Sequence, residues 1–495
     1  MAVKNLLALD LGAESGRAIL GRFDGARLEL SEKHRFANTP IALPGQGGQA
    51  SLHWDVLRLW SDVRAGVVRA AREEPIKLDG IGLDTWGVDF GLLDRRGQLI
   101  SSPYHYRDNR TDGMVEEAFQ RVPREQIFAQ TGIQFMQINS LYQLFSMVIQ
   151  RAPALEIAHT FLTIPDLFNY WLTGTIACEF TNATTTQCYN PRLHTWADPL
   201  LAGLGIPREI FPEVIQPGTT IGPLHKLLAD EIGGPAMVIA PAVHDTGSAV
   251  AAVPASAPGF AWISSGTWSI VGIELPEPVI NAQSLANNFT NEGGVSGTMR
   301  FCKNVMGLWL VQECRRTWRA AGEEHSYADL VEMAKTAPAL RSLVDPDDGD
   351  FLKPGDMPSR IQAYCRRTGQ PVPESKAAII RCALESIALK YRWVLDRIED
   401  MTGKPMDTIH IVGGGTQNLL LNQFTADATG KTVITGPVEA TAAGNILMQA
   451  LALGLLGSIW DAREVVRQSF ETHTYEPAPS AAWQDGYQRL QALIK

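Results

Sequence analysis

Residues 6–23 read LLALDLGAESGRAILGRF. Leu6–Leu11 is apolar and β-prone, Gly12–Arg17 is a small polar turn, and Ala18–Phe23 returns as a second apolar strand, so the chain is expected to open with a β-hairpin. The same plan recurs at 260–273, FAWISSGTWSIVGI, with Phe260–Ser264 and Trp268–Ile273 as strands and Ser265-Gly266-Thr267 as the turn. Two strand–loop–strand units, each placing Gly, Ser or Thr at its tip, imply two related domains facing one another.

Lys77–Leu83 and Val88–Leu93 read as a further pair of strands around Asp84-Thr85-Trp86-Gly87. Pro165–Leu172 reads as a helix stopped by Thr173-Gly174. Ile379–Met401 carries Ala383, Ile387, Tyr391, Val394 and Ile398 at helical spacing, and Gly403-Lys404-Pro405 ends it. Ile409–Val412 is a short strand feeding, through Gly413–Gly415, a helical pattern over Gln417–Thr429 that Gly430 closes. The pattern is mixed α/β. The uncharged, proline-rich VPASAPG at 253–259 is the best boundary, which places domains at 1–252 and 253–495.

The 495 residues are enough for two or three packed units, and 45% hydrophobic residues supply their cores. The charge, 43 basic minus 53 acidic residues or −10, argues against nucleic-acid binding, which needs clustered Lys and Arg. The N-terminus lacks the pattern of a secretory signal, so a cytoplasmic protein is expected. The longest apolar runs, around 236–243 and 446–456, fall short of the roughly 18 residues of a membrane span. Six cysteines without a C-x-x-C arrangement indicate neither a disulfide scaffold nor a zinc site. Cys365 and Cys382 flank a proline-containing segment and are expected close enough to pair; a reducing compartment favours thiols, and the sequence leaves open whether they form a disulfide.

Three loops carry phosphate-compatible chemistry. At 10–17, glycines and a serine at a hairpin tip expose backbone N–H groups, Arg17 adds a permanent charge, and Asp10 is placed to hold magnesium through water. Ser265-Gly266-Thr267 repeats this with two hydroxyls, and Gly413–Gly415 is a strand-to-helix corner suited to phosphate or ribose. Each alone is an ordinary turn; together they imply one nucleotide between two halves. At 244–247, HDTG follows an apolar run, so Asp245 is either a carboxylate at a strand end that can accept a hydroxyl proton or a helix N-cap. His244 reads as a structural or substrate-bonding histidine, since no second His or Cys sits at metal-ligand spacing. The acidic DPDDGD at 345–350 departs from a calcium loop and reads as a solvated loop. Trp86–Asp89 and Arg107–Arg110 read as surface ion pairs.

The stretches LDLGAESGR (9–17), GLDTWGVDFGLLD (82–94), YRDNRT (106–111), TGIQF (131–135), TNATTTQ (181–187), HDTGSAV (244–250), SSGTWS (264–269), NEGG (291–294), KNVMGLWLVQ (303–312), HIVGGGTQN (410–418) and PVEATAAGN (437–445) together resemble the FGGY carbohydrate kinases of the actin-like ATPase superfamily. The resemblance covers about Leu6 to Phe470. It implies two actin-like (ribonuclease H-like) α/β domains with an ATP/sugar cleft between them. By this similarity Ala13, Glu14, Ser15, Gly16, Arg17, Thr267, Gln312 and Gly414 contact ATP, while Gly87, His244, Asp245, Thr246 and Asn304 hold the sugar. Asp245 is the implied general base, with ATP and Mg2+ as cofactors, Asp10 on the magnesium side and a small ketose as partner. The implied reaction is phosphorylation of the C1 hydroxyl of L-rhamnulose, with L-fuculose, D-xylulose, L-ribulose or glycerol as alternative acceptors and a nucleotide-driven switch as the reading from another class. Where many relatives carry two hydroxyl residues after D-x-G, this chain has Ala13 and Glu14, so Glu14 is expected to point away from phosphate or to pair with Arg17. The sequence leaves the oligomeric state open, and a monomer satisfies it.

Overall fold

The computed structural model describes residues 2–45, 50–478 and 480–494, and the chain divides into two compact units. The first comprises 1–252 together with 274–301 and 440–469; the second comprises 253–273, 302–439 and 470–495. The first unit thus contains the whole expected N-terminal domain plus two segments that return to it from later in the chain.

In the first unit the opening hairpin forms as expected, with strands Lys4–Leu11 and Ser15–Phe23. Its turn is shorter than Gly12–Arg17. Ser15, Gly16 and Arg17 already lie in the strand, because Leu28–Ala37 pairs along its other edge as far as Ser15↔Ala37 and extends the ladder towards the tip. The sheet order is Thr220–Pro223, Met237–Ile239, Gly80–Thr85, Lys4–Leu11, Ser15–Phe23, Leu28–Ala37, with parallel pairing at its centre. Helix Val56–Arg72, capped by Asp55 accepting from the Arg58 N–H, buries Leu59, Val63, Val67 and Ala70 against one face. Period-two alternation turns Ile81 and Leu83 to that core and Gly80 and Gly82 to helix Ala440–Ala452 on the other face. Phe90–Leu93 pairs antiparallel with Thr160–Thr163 rather than with Gly80–Thr85, and aromatic residues including Phe161, Trp196 and Phe211 fill a separate core beside it. Helix Ile164–Thr173 ends at Gly174 in the left-handed region, as its glycine stop predicts.

The second unit repeats the opening theme. Ala261–Ser265 and Trp268–Leu275 form an antiparallel hairpin, and the first strand also pairs in parallel with Thr408–Val412, followed by Thr432–Thr435 and Thr474–Tyr475. In each unit, therefore, the leading strand has a hairpin partner on one side and a later parallel strand on the other. Helix Lys376–Thr402, capped by Ser375 and stopped by Gly403 at φ 65°, matches the apolar spacing read from sequence. The helix expected over Gln417–Thr429 begins at Leu419, because residues Gly414–Gln417 take a single 3-10 turn first.

Two surface readings are corrected. Asp345 and Asp347 pair with the buried Lys390 at 2.7 and 3.1 Å, so the start of the acidic segment docks on the long helix instead of lying in solvent. Asp89 and Asp108 are buried: Asp89 accepts from Trp54 Nε1, Trp86 Nε1, Tyr106 N–H and Gln143 Nε2, and Arg110 lies over Tyr104 and donates to Gln143. Burial pushes the Asp89 carboxyl up to about 6. All six cysteines are buried and free. A thiol hydrogen bond between Cys365 and Cys382 draws Cys365 below the usual thiol range and pushes Cys382 up. Among the described residues no helix is long and apolar enough to cross a membrane.

Candidate active site

Parallel pairing of strand Lys4–Leu11 with strand Gly80–Thr85 sets Asp10 beside Asp84 at their C-terminal ends. Asp84 is fully buried; its Oδ2 accepts from Asn445 Nδ2 at 2.5 Å, while Oδ1 has no hydrogen-bond partner among the described residues. Burial, and after it the neighbouring Asp10 charge, push the Asp84 carboxyl well above the usual carboxylate range. Arg17 NH2 lies 3.6 Å from Asp10 Oδ2. Two crowded carboxylates with an orphaned buried oxygen fit a hydrated divalent cation, which takes one or two carboxylates and keeps several waters. Above them, the hairpin tip leaves the Ala13 and Glu14 N–H groups without an acceptor among the described residues, while Gly12 N–H bonds the Ser15 carbonyl. The Glu14 side chain is exposed and Arg17 pairs with Asp10 instead.

The HDTG segment reaches this sheet through Thr85, whose N–H donates to the Val243 carbonyl and which bridges His244 in parallel register. His244 is the N-cap of helix Asp245–Ala251, so Asp245 is its first residue rather than the cap. Asp245 Oδ1 accepts from the Thr246 N–H at 2.6 Å and from Thr246 Oγ1 at 3.2 Å, while Oδ2 accepts no hydrogen bond among the described residues. Gly87 faces the imidazole: a Cβ there would lie 3.4 Å from His244 Nε2. The next residue, Val88, holds φ 68°, which a β-branched residue adopts only under constraint; its N–H donates to Thr185 Oγ1 and its carbonyl accepts from Ser140 and Gln143.

The short helix Phe180–Thr185 ties these loops together. Thr181 Oγ1 accepts from the His244 N–H, Thr184 Oγ1 from the Gly293 N–H and Thr185 Oγ1 from the Val88 N–H. Glu179 caps this helix, accepting from Thr181 N–H and Oγ1 and from the Val243 N–H. Burial pushes Glu179 up to about 8 and Asp166, which accepts from the Glu179 N–H, up to about 7. Glu179 in the unfolded chain releases its proton near its ordinary value of 4.5, whereas the folded chain holds it to about 8. The folded state therefore binds more protons between those values, so its stability falls as pH rises through that window and levels off above it. Thermal melts across this range are expected to show the decline, with Glu179→Gln reducing its slope; an unchanged slope in the variant would exclude Glu179 as a source.

In the second unit the Leu308 and Trp309 N–H groups donate to the Gly266 and Thr267 carbonyls, seating helix Trp309–Ala320 on the second hairpin turn. Gln312, in the first turn of that helix, has a buried Oε1 without a partner among the described residues. The glycine corner packs onto the same hairpin: a Cβ on Gly415 would fall 2.0 Å from Ser265 Oγ, and Gly413 holds φ 87°. Thr267, Gln312 and Gly414 thus share one neighbourhood, with Gly414 exposed, and Asn304 lies on strand Met299–Met306. The first unit separately gathers Asp10, Ala13–Arg17, Gly87 and His244–Thr246. Asp84, Glu179, Glu292, Arg300 and Asn445 receive no individual role from sequence reasoning. The signal for Asp84 is its place at the end of a second strand, in the same register as Asp10; the others come from remote segments.

Comparison with known proteins matches residues 5–252 to the N-terminal domain and 261–453 to the C-terminal domain of the FGGY family of carbohydrate kinases. A rhamnulokinase of Bacteroides thetaiotaomicron is 44% identical over 494 residues, covering 99% of this chain and 100% of that protein. A rhamnulokinase of Oceanobacillus iheyensis is 41% identical over 471 residues, covering 95% and 97% respectively. The crystal structure of xylulose kinase from Rhodospirillum rubrum superposes with a TM-score of 0.80 at 20% identity, covering 99% of this chain and 98% of that one.

Proposed function

The chain belongs to the FGGY family of carbohydrate kinases, and on that premise we propose that it transfers the γ-phosphoryl group of ATP to the C1 hydroxyl of L-rhamnulose, giving L-rhamnulose 1-phosphate and ADP. The observation that carries the reading is Asp245, a carboxylate with Oδ1 pinned by Thr246 and Oδ2 unengaged, beside the His244 imidazole and the Gly87 backbone. Oδ2 takes the proton of the attacking hydroxyl. His244, Thr246, Gly87 and Asn304 orient the sugar, and Ala13–Arg17, Thr267, Gln312 and Gly414 hold the nucleotide. Bound Mg2+ supplies neutralisation of phosphate charge, and Asp10 and Asp84 are the carboxylates that suit it. Phosphoryl transfer passes through a loose transition state, so positioning and electrostatics outweigh base strength; a carboxylate fixed by one oxygen is sufficient for the proton.

ADP release in the presence of ATP and Mg2+, measured against L-rhamnulose, L-fuculose, D-xylulose, L-ribulose and glycerol, tests the substrate. The highest kcat/KM is expected with L-rhamnulose. Preference for another acceptor reassigns the sugar pocket, and ATP turnover independent of every acceptor overturns the kinase reading. The 41–44% identity to rhamnulokinases supports this choice of sugar.

A further inference from the structure

We propose that Arg300 is a positioning residue that keeps the His244 proton on Nε2, making the imidazole a hydrogen-bond donor towards the sugar. The inference rests on reading His244 as a sugar contact. Arg300 is buried, with its Nε donating to the Gly293 carbonyl at 2.8 Å and its NH2 lying 3.2 Å from Glu292 Oε2. The same NH2 lies 3.0 Å from His244 Nδ1.

A guanidinium has only donors, so the partner it faces must accept. Glu292 Oε2 also lies 3.4 Å from His244 Nδ1 and by itself would favour a proton on that nitrogen. The two demands are not equal. A proton on Nδ1 would set donor against donor at 3.0 Å in a buried site, losing a charge-assisted bond. With Nδ1 as acceptor, Glu292 keeps its pairing with Arg300. A doubly protonated ring would face the guanidinium with like charge. The neutral tautomer protonated on Nε2 gives the guanidinium NH2 an acceptor and leaves Glu292 in its ion pair with Arg300.

The His244 side chain is mostly buried, which restricts the ring's freedom to turn away from Arg300. Nε2 points to the active carboxylate and the glycine loop, 3.5 Å from Asp245 Oδ1. The ligand atom read there must therefore be an acceptor, a ketose carbonyl or hydroxyl oxygen.

The test uses the full-length protein labelled with 15N-histidine, with His244 assigned by the signal missing from His244→Gln. The two-bond proton–nitrogen pattern at neutral pH is expected to show the Nε2-protonated tautomer. A wild-type ring protonated on Nδ1, or on both nitrogens, overturns the proposal without recourse to a variant. In Arg300→Met the proton is expected to move to Nδ1 towards Glu292, raising the ketose KM about tenfold or more, the worth of one such hydrogen bond, while the ATP KM stays in place. Arg300→Lys, which also only donates, is expected to retain the tautomer and recover part of the loss. An Arg300→Met protein that folds with unchanged tautomer and ketose KM also overturns it. If the Nε2 tautomer is present and is lost in Arg300→Met but no sugar is phosphorylated, the kinase reading fails and the control of the imidazole by Arg300 stands.

Discussion

Asp245→Asn is expected to lower kcat by about a hundred- to ten-thousandfold, the range a positioned general base contributes, while ATP affinity is preserved. Asn keeps the shape and an oxygen that can accept from the Thr246 N–H, so the start of the helix stays in place. What it lacks is the basic Oδ2. The fold is expected to be retained, because Asp245 is one of the like charges that hold Asp84 above its ordinary range, and removing it relieves that crowding. Steady-state kinetics with isothermal titration of ATP separate the two effects. A variant within about threefold of wild-type kcat would remove Asp245 from proton transfer, since a positioned general base typically contributes about a hundredfold or more.

Gly444→Ala is the second large effect. Gly444 lies where helix Ala440–Ala452 crosses helix Asp245–Ala251, and an added Cβ would stand 1.8 Å from the Ser248 carbonyl oxygen. The obstacle is backbone, so no rotamer relieves it, and the helices must separate. Overpacking of this kind costs about 1–3 kcal/mol. The displaced helix begins with the active carboxylate itself, and a misplacement on the order of 1 Å costs about a hundredfold in rate. Urea unfolding and kcat are therefore expected to fall together. A variant matching wild type in both would mean that the two helices accommodate a methyl group at their crossing.

The opening hairpin, the glycine-stopped helices and the long helix at 376–402 are legible because each is encoded locally, by alternation, helical spacing or a left-handed glycine. The structure departs from the local pattern where a distant partner decides the outcome. The strand at Ser15 starts early because of Leu28–Ala37. Asp345 is docked by a lysine 45 residues later. Asp89 is buried by Trp54 and Gln143, 35 and 54 residues away, together with its neighbour Trp86, and no local charge pattern announces this. The candidate site divides in the same way. Asp245 and the hairpin tip stand out as short motifs, whereas Arg300 acts on His244 from 56 residues further on and is just another arginine in the sequence.

The bond from Asn445 to Asp84 spans 361 residues. On the ribosome, at about 5–20 residues per second, that separation is a wait of roughly 20–70 s between the emergence of the carboxylate and that of its amide partner. The β-sheet that opens the chain is thus among the first parts synthesised and among the last completed. Until the helix bearing Asn445 arrives, the nascent chain carries an uncovered sheet face and an unmet acid at its centre. Prematurely terminated chains ending before residue 440 lack that cover, which makes them natural clients for chaperones and proteases.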